Sequence, residues 1–349
     1  MKKIKVLVVD DASFMIKAVS EILNSDPDIE VIGSAKNGQL AIEKIKELKP
    51  DVITLDVDMP VMDGLRATRH IMLECPVPIV MLSSLFSNGT ITFEALRLGV
   101  VDFLPKPSGA ISQDIHTAKQ QIIDRIKTAV SVDIANIHRI KVNTISSNNK
   151  LDNYYAFQTL EYLLLIGTNL GGPNTSINIF SKLSPKLATA AIMVQEISPK
   201  ILTAFVEEFN KYTLWDIRVA SDNAILEAGV CYIASNEYNL SVIMNNNNEI
   251  CLKISQSTSK PLNQLFSSAA KIFGANTIGV LLTGIGDDGS EGFRTIKNNA
   301  GTTLAQESNT CVYPNLTQCA IEQGLVDTIL SDKQLPCGIE NLIKEHTNV

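Results

Sequence analysis

Residues 4–9 read IKVLVV and are followed at once by Asp10 and Asp11. A continuous run rich in β-branched residues suits a strand covered on both faces, which is the strand of a parallel sheet. EVIGSA (30–35), DVITLD (51–56), PIVMLSS (78–84) and VVDFLPKP (100–107) are four further short runs of this kind. Helical spacing fits between them, at 13–25 (with Phe14, Ala18, Ile22 and Leu23 on one side), 38–48, 64–74 and 90–98. Strand and helix in regular alternation leave few folds open: a doubly wound parallel sheet with helices on both faces.

The pattern breaks after residue 107. The stretch 113–130 can form one more helix, with apolar residues at 115, 118, 122, 123 and 126; NTISSNNKLDN (143–153) is polar and aperiodic and reads as linker. A second α/β pattern starts at Tyr162. Strands fit 162–168, 190–195, 230–234, 240–245, 278–283 and 302–305, and helices fit 174–183, 199–211, 262–273 and 290–299. NNNN at 245–248 reads as a hairpin turn. The expected organisation is therefore α/β in two domains, each a doubly wound, mostly parallel sheet: 1–125, a linker at 126–157, and 158–349.

Charge and cysteine usage exclude several functions. With 30 Lys and Arg against 37 Asp and Glu, the net charge is −7, unlike a nucleic-acid protein, which needs clustered cations. Six cysteines (75, 231, 251, 311, 319, 337) make no C-x-x-C pair, as expected of reduced thiols in a cytoplasmic protein. The N-terminus lacks a signal-type apolar core, and no 18-residue apolar run is present, so no membrane insertion is expected.

Ligands of open parallel sheets bind beyond the carboxyl ends of the strands. Asp10 and Asp11 fall at the end of the first strand, Asp56 at the end of the third, Ser83 at the end of the fourth, and Lys106 just after the fifth. Three carboxylates at one point repel one another unless a cation sits among them, and a small oxygen-only set suits Mg²⁺. A carboxylate so placed can attack a phosphoryl group, with the metal and Lys106 offsetting its charge. The alternative is that these aspartates only cap helices.

LVVDDASFM, LDVDMPVMDGL, VMLSS and DFLPKP resemble the flavodoxin-like receiver domain of bacterial response regulators. The resemblance implies that Asp56 is the phosphoacceptor, fed by a chemotaxis-type histidine kinase. It implies that Asp10, Asp11 and Asp56 hold Mg²⁺, with a backbone carbonyl of Val57 or Asp58. Ser83 and Lys106 would follow the phosphoryl group, Phe103 would be an aromatic switch residue, and Pro107 would follow a cis peptide bond.

In the second domain, LLLIGTNLGGPNTS (163–176) reads as strand, tight turn and helix start. That is the frame in which a hydrolase mounts its nucleophile. IGTNLGGP, VLLTGIGDDGSEGF and TLAQESNTCVY, with the order receiver, linker and α/β domain, resemble the chemotaxis receptor methylesterases. That family removes methyl groups from glutamate esters on chemoreceptor cytoplasmic helices and deamidates glutamines there, through a Ser-His-Asp triad. The position of the family serine is Asn169, and that of its histidine is Glu196; the aspartate is kept as Asp288. Ile285 replaces a methionine whose backbone amide contributes to the oxyanion hole. Loss of the nucleophile or the base from a triad costs on the order of 10⁶ in rate. Thr168 precedes the apex and should point away, Ser198 and Cys231 have no histidine nearby, and the four histidines (70, 116, 138, 346) lie outside this domain's core. Asn169 could bridge the carboxyl groups of Glu196 and Asp288. The substrate-facing segments SQSTSKPLNQ (255–264), AGVCYIAS (228–235) and VYPNLTQ (312–318) also depart from the family pattern.

The sequence thus reads as a phosphorylation-regulated receptor-methylesterase relative acting by binding or as a phosphate sink. The rival reading is an active methylesterase and glutaminase with an unorthodox site that uses Glu196 and Asp288.

Overall fold

The computed structural model describes residues 2–84, 89–107, 113–137, 145, 159–256 and 260–347. Two compact units divide at Arg139 and Ile140.

In the first unit, β1 (Ile4–Val9), α1 (Ser13–Asn24), β2 (Ile29–Ala35), α2 (Gly38–Leu48), β3 (Val52–Leu55), α3 (Gly64–Glu74), β4 (Ile79–Ser83), α4 (Gly89–Leu98), β5 (Asp102–Pro105) and α5 (Gln113–Val130) alternate as the sequence suggested. All pairings are parallel, in the order β2-β1-β3-β4-β5. The order reverses between β1 and β3, so a crevice opens beyond Val9 and Leu55, the last residues of two paired strands. Leu7, Val9, Ile53, Leu55, Met81 and Phe103 fill the core. Ile126 and Ala129 on α5 are fully buried, so this unit extends past residue 125.

The second unit holds β6 (Tyr162–Thr168), α6 (Gly172–Phe180), β7 (Thr189–Gln195), α7 (Pro199–Phe209), β8 (Asp216–Val219), β9 (Val230–Ser235), β10 (Tyr238–Met244), β11 (Ile250–Gln256), α8 (Pro261–Phe273), β12 (Thr277–Leu281), α9 (Ser290–Asn298), β13 (Thr302–Gln306), α10 (Asn315–Glu322), β14 (Thr328–Leu330) and α11 (Leu335–Thr347). Seven parallel strands run β14-β13-β12-β6-β7-β9-β8, and β10 and β11 form a separate antiparallel hairpin. Its turn lies at 245–248, where Asn248 takes a left-handed φ of 60° and the Asn245 N–H donates to the Glu249 carbonyl. Phe266 and Phe293 stack at 5.6 Å beneath the sheet. The strand order switches between β6 and β12, and Leu281 pairs with Gly167 there. The second crevice therefore opens beside residue 169.

Among the described residues, no helix is long and apolar enough to cross a membrane.

Candidate functional site

The first crevice collects the residues that the strand ends predicted. One oxygen from each of Asp10, Asp11 and Asp56 lies within 4.8 Å of the others. Asp10 and Asp56 are buried, while Asp11 is exposed. The Lys106 ammonium joins the two buried ones, 2.7 Å from Asp10 Oδ2 and 2.8 Å from Asp56 Oδ2. The Val57 N–H donates to Asp56 Oδ1 at 2.8 Å, and the Ala12 N–H to Asp10 Oδ1 at 3.0 Å. Asp10 thus both caps the turn into α1 and faces the crevice.

Burial lifts the Asp56 carboxyl above its ordinary value, and the Lys106 hydrogen bond and charge only partly oppose this. Burial pulls the Lys106 ammonium down, but its bonds to Asp10 and Asp56 outweigh that and leave it above the usual lysine value. Ser83 ends β4, buried and paired in register with Pro105, and its carbonyl accepts the Lys106 N–H at 3.2 Å. Phe103 is buried on β5. No cis peptide bond occurs among the described residues, so the Lys106–Pro107 bond is trans, contrary to the expected cis-proline. Gly64 holds the Asp56 loop closed: its N–H donates to the Val57 carbonyl at 2.8 Å, and a Cβ on it would come within 2.1 Å of the Asp56 carbonyl oxygen.

In the second crevice, β6 and β7 run parallel with Thr168 opposite Gln195, so Asn169 and Glu196 leave adjacent strand ends together. Asp288 comes from the loop after β12. Asn169 and Asp288 border one cleft of about 280 Å³ with Thr168, Leu262, Ile285 and Asp287. Glu196 is half-buried and does not border it.

The expected bridging of two acids by Asn169 does not occur. Its Oδ1 accepts from the Leu170 N–H at 2.6 Å and the Ile285 N–H at 2.7 Å, and its Nδ2 donates to the Ile285 carbonyl at 2.9 Å. Both ends of the carboxamide are bonded to backbone. Asp288 likewise accepts from the Leu262 and Asn263 N–H groups at 2.8 and 3.0 Å; burial nevertheless keeps its carboxyl above the usual value. Apart from the adjacent Leu170, these partners are distant in sequence: Ile285 lies 116 positions from Asn169, and Leu262 and Asn263 open α8, 26 and 25 positions from Asp288.

Of the other candidate nucleophiles, Thr168 is occupied and Cys231 is unreactive. Thr168 borders the cleft, and its hydroxyl donates to the Thr283 carbonyl at 2.8 Å. Ser198 is the N-cap residue of α7. Cys231 is fully buried, which pushes its thiol far up, where thiolate does not form at neutral pH. On the rim, Lys260 pairs with Asp287 at 2.7 Å, a contact that sequence reading missed.

An acidic crevice with a bridging lysine in one unit, and a strand-turn-helix cleft in the other, define a two-domain response regulator. The response regulator receiver domain profile matches residues 6–118, and the CheB methylesterase profile matches residues 164–339. The chain belongs to the CheB methylesterase family. A Pyrococcus abyssi protein named protein-glutamate methylesterase/protein-glutamine glutaminase is 34% identical over 96% of this chain and 92% of its own. A Methanococcus maripaludis protein of the same name is 34% identical over 99% of both chains. The Thermotoga maritima CheB methylesterase catalytic domain, a crystal structure, is 26% identical, with a TM-score of 0.49 over 53% of this chain and 98% of that one.

Proposed function

We propose that this chain is a phosphorylation-controlled chemotaxis regulator of the cytoplasm whose second unit binds its target without hydrolysing it. A single observation carries the second half of this reading: a carboxamide stands at the apex of the nucleophile turn, with both of its ends bonded to backbone. An amide so held cannot attack an ester, and no histidine lies anywhere between residues 159 and 344 to act as base.

The first unit is equipped for phosphoryl transfer. The Lys106 ammonium already stands 2.8 Å from Asp56 Oδ2, where it would meet the oxygens of an incoming phosphoryl group. Asp10, Asp11 and Asp56 offer an oxygen-only set that fits Mg²⁺. Such an ion would supply charge neutralisation for the transferred group. Of the two carbonyls that the family resemblance offers as a further ligand, that of Val57 already accepts the Gly64 N–H. The donor fitting this chemistry is a chemotaxis-type histidine kinase. Chemoreceptor cytoplasmic helices are the partner for the second unit, and the first unit by itself suffices as a phosphate sink.

Two assays test the halves separately. Labelled phosphate from a competent kinase with Mg²⁺ should reach the wild type and fail to reach Asp56→Asn; an unlabelled wild type removes the regulator reading. Methylated receptor incubated with the phosphorylated protein should release no methanol above background. Turnover that vanishes in Glu196→Gln would establish the hydrolytic alternative instead.

A further inference from the structure

The Leu170 and Ile285 N–H groups come from different loops, yet both donate to one atom, Asn169 Oδ1, at 2.6 and 2.7 Å. Two backbone donors, one from the residue after the turn apex and one from a neighbouring loop, converging on a single oxygen, have the geometry of an oxyanion hole. The oxygen between them belongs to the protein itself. Three features hold it there. Gly284 makes room, because a Cβ on it would come 2.3 Å from Oδ1. Nδ2 donates to the Ile285 carbonyl at 2.9 Å, so the amide grips the Ile285 peptide at both its N–H and its C=O, and its orientation is fixed by those partners. The Asn169 carbonyl accepts from Gln195 Nε2 at 3.0 Å and from the Gly172 N–H at 3.0 Å, which pins the backbone that carries the side chain.

We propose that Asn169 is a built-in occupant of this hole, standing where the carbonyl oxygen of a bound acyl group would sit, and that removing its carboxamide uncovers a binding site for carboxylates. The cleft beside it already has room for a small carboxylic acid. Its two aspartates oppose an anion weakly: Asp287 is paired with Lys260, and Asp288 is clasped by the Leu262 and Asn263 N–H groups. Two backbone donors to a charged acceptor then give an affinity on the order of millimolar. The inference stands apart from the phosphorylation reading and concerns only what fills the cleft.

The probe is sodium acetate, titrated at constant ionic strength into the ¹⁵N-labelled full chain. In Asn169→Ala, the Leu170 and Ile285 amide resonances should shift together and saturate, with Kd on the order of millimolar; in the wild type they should stay in place. Equal shifts in wild type and variant would overturn the proposal, because Asn169 would not then be competing for the donors. So would a folded variant whose two amides ignore acetate up to about 100 mM, a hundredfold above that Kd, or shifts scattered over surface lysines. Asn169→Ser serves if the alanine variant unfolds. The wild type gives a separate reading: couplings across the hydrogen bonds from the Leu170 and Ile285 amides to the Asn169 Cγ should be present, and their absence sinks the proposal without any variant.

Discussion

Lys106 is the residue on which the first crevice turns, since its ammonium is the only described cation that meets both Asp10 and Asp56. Breaking a buried pair by removing one partner costs about 3–5 kcal/mol, because the remaining charge is buried and uncompensated. Lys106→Ala leaves two such carboxylates side by side. Its first unit should lose about 3 kcal/mol by urea unfolding in chelator, and millimolar Mg²⁺ should recover more stability in the variant than in the wild type. Equal Mg²⁺ effects in both proteins would show that the lysine and the metal do not share these carboxylates. At this scale the sequence was readable where chemistry sits at strand ends: Asp10, Asp56, Ser83 and Lys106 are placed by register alone. It was not readable at Asn169, whose partner Ile285 lies 116 positions away in another loop. A side chain that could bridge two acids in principle instead met two N–H donors, and they decided its role.

At the scale of elements, alternation predicted the buried strands because each is predominantly apolar. β8 (DIRV), β11 (ICLKISQ) and β14 (TIL) escaped for physical reasons. β8 and β14 are edge strands, short and partly exposed, so they carry charge or too few residues to show a period. β11 is one arm of a hairpin outside the main sheet, with one face in water. The loop from β3 to α3 is where backbone geometry most directly sets the site. Val61, 80% exposed, holds φ at 68°, and the Met62 N–H reaches back to the Pro60 carbonyl at 2.7 Å, a tight γ-turn rarely taken by a β-branched residue. The chain then folds onto Asp56 through Gly64. A methyl group there meets backbone and not a movable side chain, so Gly64→Ala should cost about 1–3 kcal/mol. It should also slow phosphorylation of Asp56 by a small-molecule phosphodonor. Wild-type stability and rate in this variant would mean that the loop relaxes freely and does not position the carboxylate.

For the whole molecule, two compact units, each with its own parallel sheet and core, imply two unfolding transitions, which a substitution in one unit should move singly. Asp327 is the place to test this. Its carboxylate pairs with Lys297 and accepts both the N–H and the hydroxyl of Thr303, at 2.9 and 2.8 Å, tying the strand end of β13 to the segment before β14. Burial pushes this carboxyl up, but Lys297 and Thr303 outweigh it and hold the group below its ordinary value of 3.8. A depressed carboxyl stabilises the fold above the unfolded-state value, and that contribution disappears as pH falls through the folded-state value. Asp327→Asn should therefore lower one transition and leave the other in place at pH 7, and the gap from the wild type should close as the solution is taken below pH 3.8. A gap that persists unchanged in acid would assign the loss to packing around the carboxyl and not to its charge. Movement of both transitions together would show that the two cores unfold as one.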